Sequence, residues 1–340
     1  MSSSESSLIK AVIFGCAGPE LTDAERRFFA AAQPLGFILF QRNCEEPAQT
    51  RALIAALRES VGRADAPVLI DQEGGRVARL KPPHWRLPPA AARIGALAAS
   101  DPAAACEAAR LNARMIADEL YDLGVTINCA PVLDIPVAGA HDVIGDRAFG
   151  VDPKTTASLG GAVCDGLMAG GILPVIKHIP GHGRTSVDSH HRLPRTEVSL
   201  VTLRETDFAP FAALSGRPWA MTAHMVYSAI DEAPATVSKP LIEGIIRGDM
   251  GFDGVLFTDD LSMEALGGSL ATRAAAALDA GCDLVEHCNG KLDEMTAVAE
   301  AVGPLSAAAH RRVATAEALR TIPEPIDRAA LAARLDKLLG

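Results

Sequence analysis

The sequence predicts an α/β protein in which eight strands, alternating with helical segments, form one closed barrel. The first indication is a set of apolar runs of strand length, each ending in polar or glycine-rich residues. These runs span residues 10–15, 36–40, 67–70, 125–130, 172–176, 219–222, 254–257 and 283–285. Strand alternating with helix implies βα units and a parallel sheet. Eight such units predict a (β/α)8 barrel of the TIM type, with a doubly wound open sheet as the alternative.

Helix start signals separate the strand-like runs. Thr22 and Asp23 precede one helical segment, and Pro47 lies in the first turn of another. Small polar residues and prolines are typical of helix N-termini, because they satisfy or do not need the first free N–H groups. Five further helical segments are predicted over residues 101–120, 152–168, 199–214, 238–247 and 262–280.

The domain organisation is predicted to be simple. The chain has 340 residues, and no linker rich in proline, glycine or serine divides it. We therefore expect one catalytic barrel domain over 1–340, with a core over about 8–305. Residues 306–340 contain two further predicted helices, separated around 322–325, which we expect to pack outside the barrel.

Composition excludes several classes of partner. A net charge of −10 argues against general affinity for nucleic acid or anionic membranes. No apolar run reaches the roughly 20 residues that cross a bilayer, and the first residues show no secretory signal pattern.

The seven cysteines are odd in number and contain no CxxC pair, so neither a disulfide framework nor a cysteine metal site is expected. We expect a cytoplasmic protein, and a monomer by default.

Chemistry is concentrated after the fifth strand-like run. Residues 177–191 read KHIPGHGRTSVDSHH and hold four of the nine histidines. The prolines and glycines of this stretch prevent regular structure, so the histidines are predicted to lie on a hinged loop. A strand that opens into a polar loop is how a barrel enzyme presents its reactive groups.

The other strand ends add charged groups to the same edge of the barrel. A pocket of mixed charge with many hydrogen-bonding groups suits a polyhydroxylated substrate better than an apolar one. The candidate residues at these ends are Asp71, Glu73, Arg76, Arg79, Asp134, Arg147, Lys177, His178, His182, Asp188, His190, His224, Asp259, Asp260, Glu286, His287 and Asn289.

Three classes of function compete for this set of residues. A metal-dependent hydrolase would use histidines as ligands, but Pro180 and Gly181 keep His178 and His182 off a common helix, so the helical HxxxH spacing fails. A sugar-binding protein without turnover is compatible with the composition. A glycosidase needs one group that attacks or assists at the anomeric carbon and another that protonates the leaving oxygen.

Several motifs together resemble those of the bacterial β-N-acetylglucosaminidases of glycoside hydrolase family 3. The loop motif is KHIPGHG at 177–183, followed by DSH at 188–190. The stretches DQEGGRVAR at 71–79, IGDR at 144–147 and FTDDLSM at 257–263 are similar to that family's motifs and occur in the same order. The resemblance runs from the second strand to about residue 290. Ile179 and Thr258 are small departures from the family pattern.

The resemblance implies a retaining mechanism with defined residue roles. Asp259 corresponds to the nucleophile, which would form a covalent glycosyl-enzyme. His190 corresponds to the general acid/base, and Asp188 to its partner. A neighbouring carboxylate orients an imidazole and raises its pKa, so the pairing is physically reasonable. The positions that correspond to substrate-binding residues are Asp71, Arg79, Arg147, Lys177 and His178.

The implied activity is that of an exo-acting β-N-acetylglucosaminidase without a metal or organic cofactor. Its implied substrate is N-acetylglucosamine linked to 1,6-anhydro-N-acetylmuramic acid, with or without peptide. Structural roles are expected for His182, which would brace the loop, and for Asp260, which would cap or brace the helix after strand seven. His191, Glu73 and Arg76 are also interpreted as structural. The pair Glu286–His287 is more polar than the apolar pair usual in the family.

Overall fold

The computed structural model is a closed barrel of eight parallel strands, described over residues 9–185, 193–263 and 266–340. Each strand pairs with the next along the chain, and the last pairs with the first. This order confirms the predicted (β/α)8 barrel and excludes the open sheet. The strands are β1 Lys10–Phe14, β2 Pro34–Leu39, β3 Val68–Ile70, β4 Ile127–Asn128, β5 Leu173–Ile179, β6 Trp219–Thr222, β7 Val255–Asp260 and β8 Leu284–His287.

The strands are apolar throughout because both of their faces are covered. All six residues of β2 and all seven of β5 are buried, as expected for parallel strands between a filled interior and a helical layer. β5 was predicted to end at residue 176, but it continues to Ile179 and pairs Lys177 with Met221 of β6. The predicted strand ended before Lys177 because that residue is charged. In the structure Lys177 stays in the strand, since its charge is paired inside the barrel.

Helices surround the barrel, and most begin where the sequence predicts. Thr22 caps the first helix in a capping box with Glu25. The side chains of Asp101 and Asp152 cap the helices that begin at Pro102 and Pro153, because they accept from backbone N–H groups in the first turns of those helices. No helix of the described residues is both long and apolar enough to cross a membrane. The helices are α1 Asp23–Ala32, α2 Pro47–Ser60, α3 Ala91–Ala98, α4 Pro102–Leu123, α5 Pro153–Ala169, α6 Leu200–Glu205, α7 Ala209–Ala213, the π-helix Pro240–Asp249, α8 Leu270–Ala280, α9 Leu292–Ala301, α10 Ala307–Glu317 and α11 Arg328–Leu339.

Two helix predictions were wrong in their extent. The helix predicted from residue 262 begins at Leu270, because Ser262 closes a turn onto Asp260 and Ser269 provides the N-cap. The single helix predicted over 199–214 is two short helices, α6 and α7. Pro210 explains this break, since proline donates no N–H and its ring clashes with the carbonyl four residues earlier in a helix.

The last two helices occupy different places on the barrel. Ala309 and Ala316 of α10 belong to the same apolar cluster as the barrel interior, so α10 closes the end of the barrel where the strands begin. Leu335 of α11 packs in the cluster formed by α3, α4 and α5 on the outer layer. The opposite end of the barrel, where the strands finish, is therefore the end left open. The treatment of 1–340 as one domain stays a prediction.

The contact between α4 and α5 gives a test of this packing. A Cβ at Gly166 of α5 would lie 2.4 Å from the carbonyl oxygen of Arg110 and 2.8 Å from Cβ of Ala113. We predict that Gly166→Ala lowers the free energy of unfolding by about 1–3 kcal/mol, because the two helices must separate. Urea denaturation measures the difference.

Gly161 of the same helix provides the matched control. Its added Cβ would meet nothing closer than 3.6 Å. Gly161→Ala should therefore be neutral, or more stable by up to about 1 kcal/mol through better helix propensity. Equal destabilisation by the two substitutions would contradict the close approach of α4 and α5 at Gly166.

Candidate active site

A cavity of about 290 Å³ opens at the ends of the barrel strands. Its walls combine charged side chains with a few apolar ones, among them Phe40 and Ile144. The structure brings six of the eight predicted catalytic and substrate-binding residues together around this cavity. These six are Asp71, Arg79, Arg147, Lys177, His178 and Asp259.

Asp71 follows β3 and forms ion pairs with two cationic side chains. Its carboxylate accepts from Lys177 Nζ at 2.7 Å and from Arg79 Nη2 at 3.0 Å. Burial raises the pKa of Asp71, but Lys177 and Arg79 outweigh burial and hold that pKa well below its usual range. The carboxylate is therefore ionised, with acceptor capacity left for hydroxyl groups.

Glu73 organises the site, although from the sequence it was interpreted only as a structural residue. Lys177 Nζ lies 2.7 Å from one oxygen of Glu73, and Arg147 binds both oxygens at 2.8 Å. Burial lowers the pKa of Lys177, yet Asp71 and Glu73 outweigh burial and raise that pKa above its usual value. Glu73 thus fixes two of the predicted substrate-binding cations, and only its place two residues after Asp71 could have suggested this role.

Asp134 plays a similar part for the histidine loop. This fully buried carboxylate accepts from the backbone N–H of His178 at 3.2 Å and of His182 at 2.6 Å. Its second oxygen lies 2.6 Å from His178 Nδ1, which therefore carries a proton, and the His178 side chain lines the cavity. Burial lowers the pKa of His182 to about 4, so this imidazole is neutral near pH 7. His182 braces the loop through its backbone, as predicted.

Asp259 lies at the end of β7 on the cavity wall. One of its oxygens accepts from the N–H of Asp260 at 2.9 Å. Burial raises the pKa of Asp259, but His178 and His224 outweigh it, and the net effect is a lowered pKa. Asp259 is therefore an ionised, partly exposed carboxylate, as a nucleophile requires.

Asp260 and His224 support the end of β7. Asp260 accepts from the N–H and the hydroxyl of Ser262 and from the N–H of Cys288, so it braces a turn and does not cap a helix. His224 contacts the hydroxyl of Thr236 at 2.6 Å and the carbonyl of Asp260 at 3.1 Å. These bonds fix the backbone beside Asp259.

Two groups of predicted residues remain, one outside the described part of the chain and one on the loop after β4. Asp188, His190 and His191 lie outside the described residues, so the proposed acid/base pair stays a prediction from the sequence. Arg76, which was interpreted as structural, binds Asp142 and Asp146 and the carbonyls of residues 142–144. That loop leads to Arg147 and forms one side of the cavity.

Glu286 of β8 also lines the cavity, although only 1% of its surface is exposed. One carboxyl oxygen lies 3.5 Å from the thiol of Cys288, and the other has no hydrogen-bond partner among the described residues. Burial raises the pKa of Glu286 well above its usual value, and Asp71, Asp259 and Asp260 raise it further. The surroundings of Glu286 therefore favour the protonated form of its carboxyl group over the ionised form.

The chain is similar to a family of known glycoside hydrolases. Residues 12–319 match the family model described as the glycosyl hydrolase family 3 N-terminal domain. A β-hexosaminidase of Bordetella avium is 39% identical over 284 residues, covering 82% of this chain and 80% of the relative. A β-hexosaminidase of Pseudomonas aeruginosa is 40% identical, with 83% of each chain covered.

Solved structures show the same likeness. The chain is similar to NagZ from Neisseria gonorrhoeae in complex with N-trifluoroacetyl-D-glucosamine, with a TM-score of 0.87 and 33% identity over 97% of this chain and 98% of that one. It is also similar to a family 3 β-N-acetylglucosaminidase from Paenibacillus, with a TM-score of 0.85 and 30% identity. That match covers 99% of this chain and 69% of the other.

The protonation state of Glu286 predicts a pH-dependent cost to stability. Above about pH 4.5, the usual pKa of glutamate, the unfolded chain releases this proton while the folded chain retains it. Wild-type stability is therefore lost progressively as the pH rises from there toward the raised pKa of the folded state. The side chain of Glu286→Gln cannot ionise. The free energy of unfolding of this variant, relative to that of wild type, should therefore increase by up to about 1.4 kcal/mol for each pH unit above that usual pKa.

Denaturation of both proteins at pH 4, 6 and 8 tests this prediction. Glu286→Leu, which is also uncharged, should show the same trend with pH even if its packing differs. A constant difference between wild type and either variant would mean that Glu286 ionises normally in the folded protein.

Proposed function

Because the chain belongs to glycosyl hydrolase family 3, we propose that it is a retaining, exo-acting β-N-acetylglucosaminidase. The observation that carries the proposal is the ionised Asp259 carboxylate on the wall of a small cavity lined by charged, hydrogen-bonding side chains. The proposed substrate is N-acetylglucosamine linked to 1,6-anhydro-N-acetylmuramic acid, with or without peptide. The proposed setting is a monomeric enzyme of the cytoplasm that recycles cell-wall fragments.

The shape and charge of the cavity support binding of one terminal sugar. A volume of about 290 Å³ is at the lower end of ligand sites, so it favours a single ring over a longer chain. Asp71 would accept from sugar hydroxyls, while Lys177 and Arg147 would donate to hydroxyl or acyl oxygens. Because Glu73 fixes both cations in advance, little ordering would be needed when the sugar binds.

The reaction proposed for these residues has two steps. In the first, Asp259 attacks the anomeric carbon while His190 gives its proton to the departing glycosidic oxygen. In the second, His190 takes a proton from water, and the resulting hydroxide displaces Asp259 from the sugar. Asp188 would orient His190 in both steps. A histidine acid adds no second negative charge beside Asp259, so the nucleophile can stay ionised.

Membership of glycosyl hydrolase family 3 favours the glycosidase over the two other classes of function, and each of those two makes a prediction that can be tested. If no metal takes part, prolonged chelation should leave the rate of hydrolysis unchanged. Loss of activity on chelation, followed by its restoration with zinc, would favour a metal-dependent hydrolase. A protein that binds N-acetylglucosamine but never cleaves its glycosides would favour a binding protein. Rates on chromogenic β-N-acetylglucosaminide, β-glucoside and β-xyloside would define the sugar specificity.

The nucleophile assignment is tested by Asp259→Asn. An amide cannot form the glycosyl ester, so kcat should fall on the order of 10⁴-fold while substrate binding stays measurable. A 2-deoxy-2-fluoro or 5-fluoro glycoside should label Asp259 in the wild-type protein, and mass spectrometry of the peptides locates the label.

Asp260→Asn is the matched control for that experiment. It removes the neighbouring carboxylate on the same strand, which braces the turn through Ser262. Activity should fall less than in Asp259→Asn, and the label should remain on Asp259. A label on any other carboxylate would overturn the assignment.

The role of His190 is tested by changing the leaving group. A phenolate with an electron-withdrawing ring leaves without protonation, whereas a sugar alkoxide does not. In His190→Ala we expect kcat/KM for the disaccharide to fall about 10²-fold or more, and kcat/KM for the activated aryl glycoside to fall far less.

The partnership with Asp188 follows from the same substrates. Asp188→Ala should act through His190, so the double variant should cost clearly less than the two single losses combined. Equal losses of His190→Ala on both substrates would remove His190 from the acid role, and strictly additive losses would separate it from Asp188.

A further inference from the structure

Glu286 is the polar group on the cavity floor for which neither the fold nor the proposed mechanism provides a use. On β8, Leu284 and Cys288 face the barrel interior while Val285 faces the helices. Side chains alternate along a strand, so Glu286 points inward at the open end of the barrel. Its backbone is fixed by Thr258, whose hydroxyl accepts from its N–H at 3.0 Å, and by the N–H of Leu261, which donates to its carbonyl at 3.0 Å.

We infer that Glu286 is a further substrate-contacting residue, whose carboxyl group hydrogen-bonds a hydroxyl group of the terminal sugar from the floor of the cavity. The inference rests on the proposed function and adds a contact to it.

The first support is the unsatisfied carboxyl oxygen. Buried polar atoms nearly always have a hydrogen-bond partner, so an atom without one on the wall of a binding cavity calls for an explanation. Oε1 of Glu286 has none among the described residues, and Oε2 has only the weak thiol donor of Cys288. A sugar hydroxyl can both donate and accept, so it could satisfy the carboxyl group in its neutral form.

The second support is the position of Glu286 among the groups that act on the sugar. Asp71, which follows β3, and Asp259, at the end of β7, line the same cavity as Glu286. Glu286 therefore shares its cavity with the proposed hydroxyl-binding group and the proposed nucleophile. Its low exposure of 1% is no obstacle, because Lys177, a proposed sugar ligand, is only 2% exposed.

The third support is the cost of keeping an acid there. An apolar side chain of similar size would avoid burying a carboxyl group beside three other carboxylates. A polar residue that opposes stability and faces a binding cavity is the pattern expected of a group retained for function.

The test combines protein variants with substrate variants. An aryl β-N-acetylglucosaminide and its 3-, 4- and 6-deoxy analogues are compared by kcat/KM for wild type, Glu286→Leu and Glu286→Gln. In wild type, loss of the hydroxyl that Glu286 contacts removes one hydrogen bond, which should lower kcat/KM about fivefold. Any other contact to the same hydroxyl adds its own loss. Glu286→Leu should lose this discrimination for one analogue only, while Glu286→Gln, which still donates and accepts, should keep it.

Glu119→Leu is the control for a buried acid that lies away from the cavity. Glu119 is half-buried on α4, and burial raises its pKa as it does for Glu286. This variant should show the wild-type pattern across all four substrates. If Glu286→Leu does not fold, Glu286→Met takes its place as the apolar variant.

The outcomes separate the two proposals. If wild type does not cleave the parent glycoside, the proposed function fails and this inference fails with it. If wild type cleaves it, but the apolar Glu286 variant changes kcat/KM by one common factor for all four substrates, only this inference is overturned. A change confined to one deoxy analogue supports the contact and identifies the hydroxyl.

Discussion

The site depends on one buried ammonium group. Lys177 Nζ lies 2.7 Å from both Asp71 and Glu73, and only 2% of the residue is exposed. Removing one member of such a set leaves an uncompensated buried charge, which typically costs about 3–5 kcal/mol. The ammonium group therefore joins the end of β5 to the residues after β3. Through Glu73 it also holds Arg147, which belongs to the loop after β4.

The same network separates the acids of the cavity into two kinds. Asp71, Glu73 and Asp259 have lowered pKa values despite burial, because cations or histidines lie beside them. Glu286 has a raised pKa, because burial penalises its ionised form and because the charges that act on it most strongly are carboxylates. Environments that push the pKa values of neighbouring acids apart let one cavity hold both charged acceptors and a neutral donor.

Much of the barrel could be predicted from the sequence, because parallel strands buried on both faces are continuous apolar runs that need no knowledge of distant partners. The errors occurred where local pattern and tertiary contact disagree. β5 continues through Lys177 because distant carboxylates pair its charge, and the helix after β7 starts late because Ser262 bonds Asp260 instead. Strand ends likewise located the site, but the supporting role of Glu73 depends on contacts about 74 and 104 residues away, which periodicity does not encode.

The closure of the barrel by α10 has a consequence for biosynthesis. The interior side chains of all eight strands form one apolar cluster whose cover at the strand-beginning end comes from residues 305–316. A ribosome completes the strands before it makes that cover, so the nascent barrel exposes an apolar opening until α10 has emerged. Exposed apolar surface of this kind is what chaperones bind and what drives premature association. The synthesis and docking of α10 therefore end the period in which the nascent barrel is prone to association.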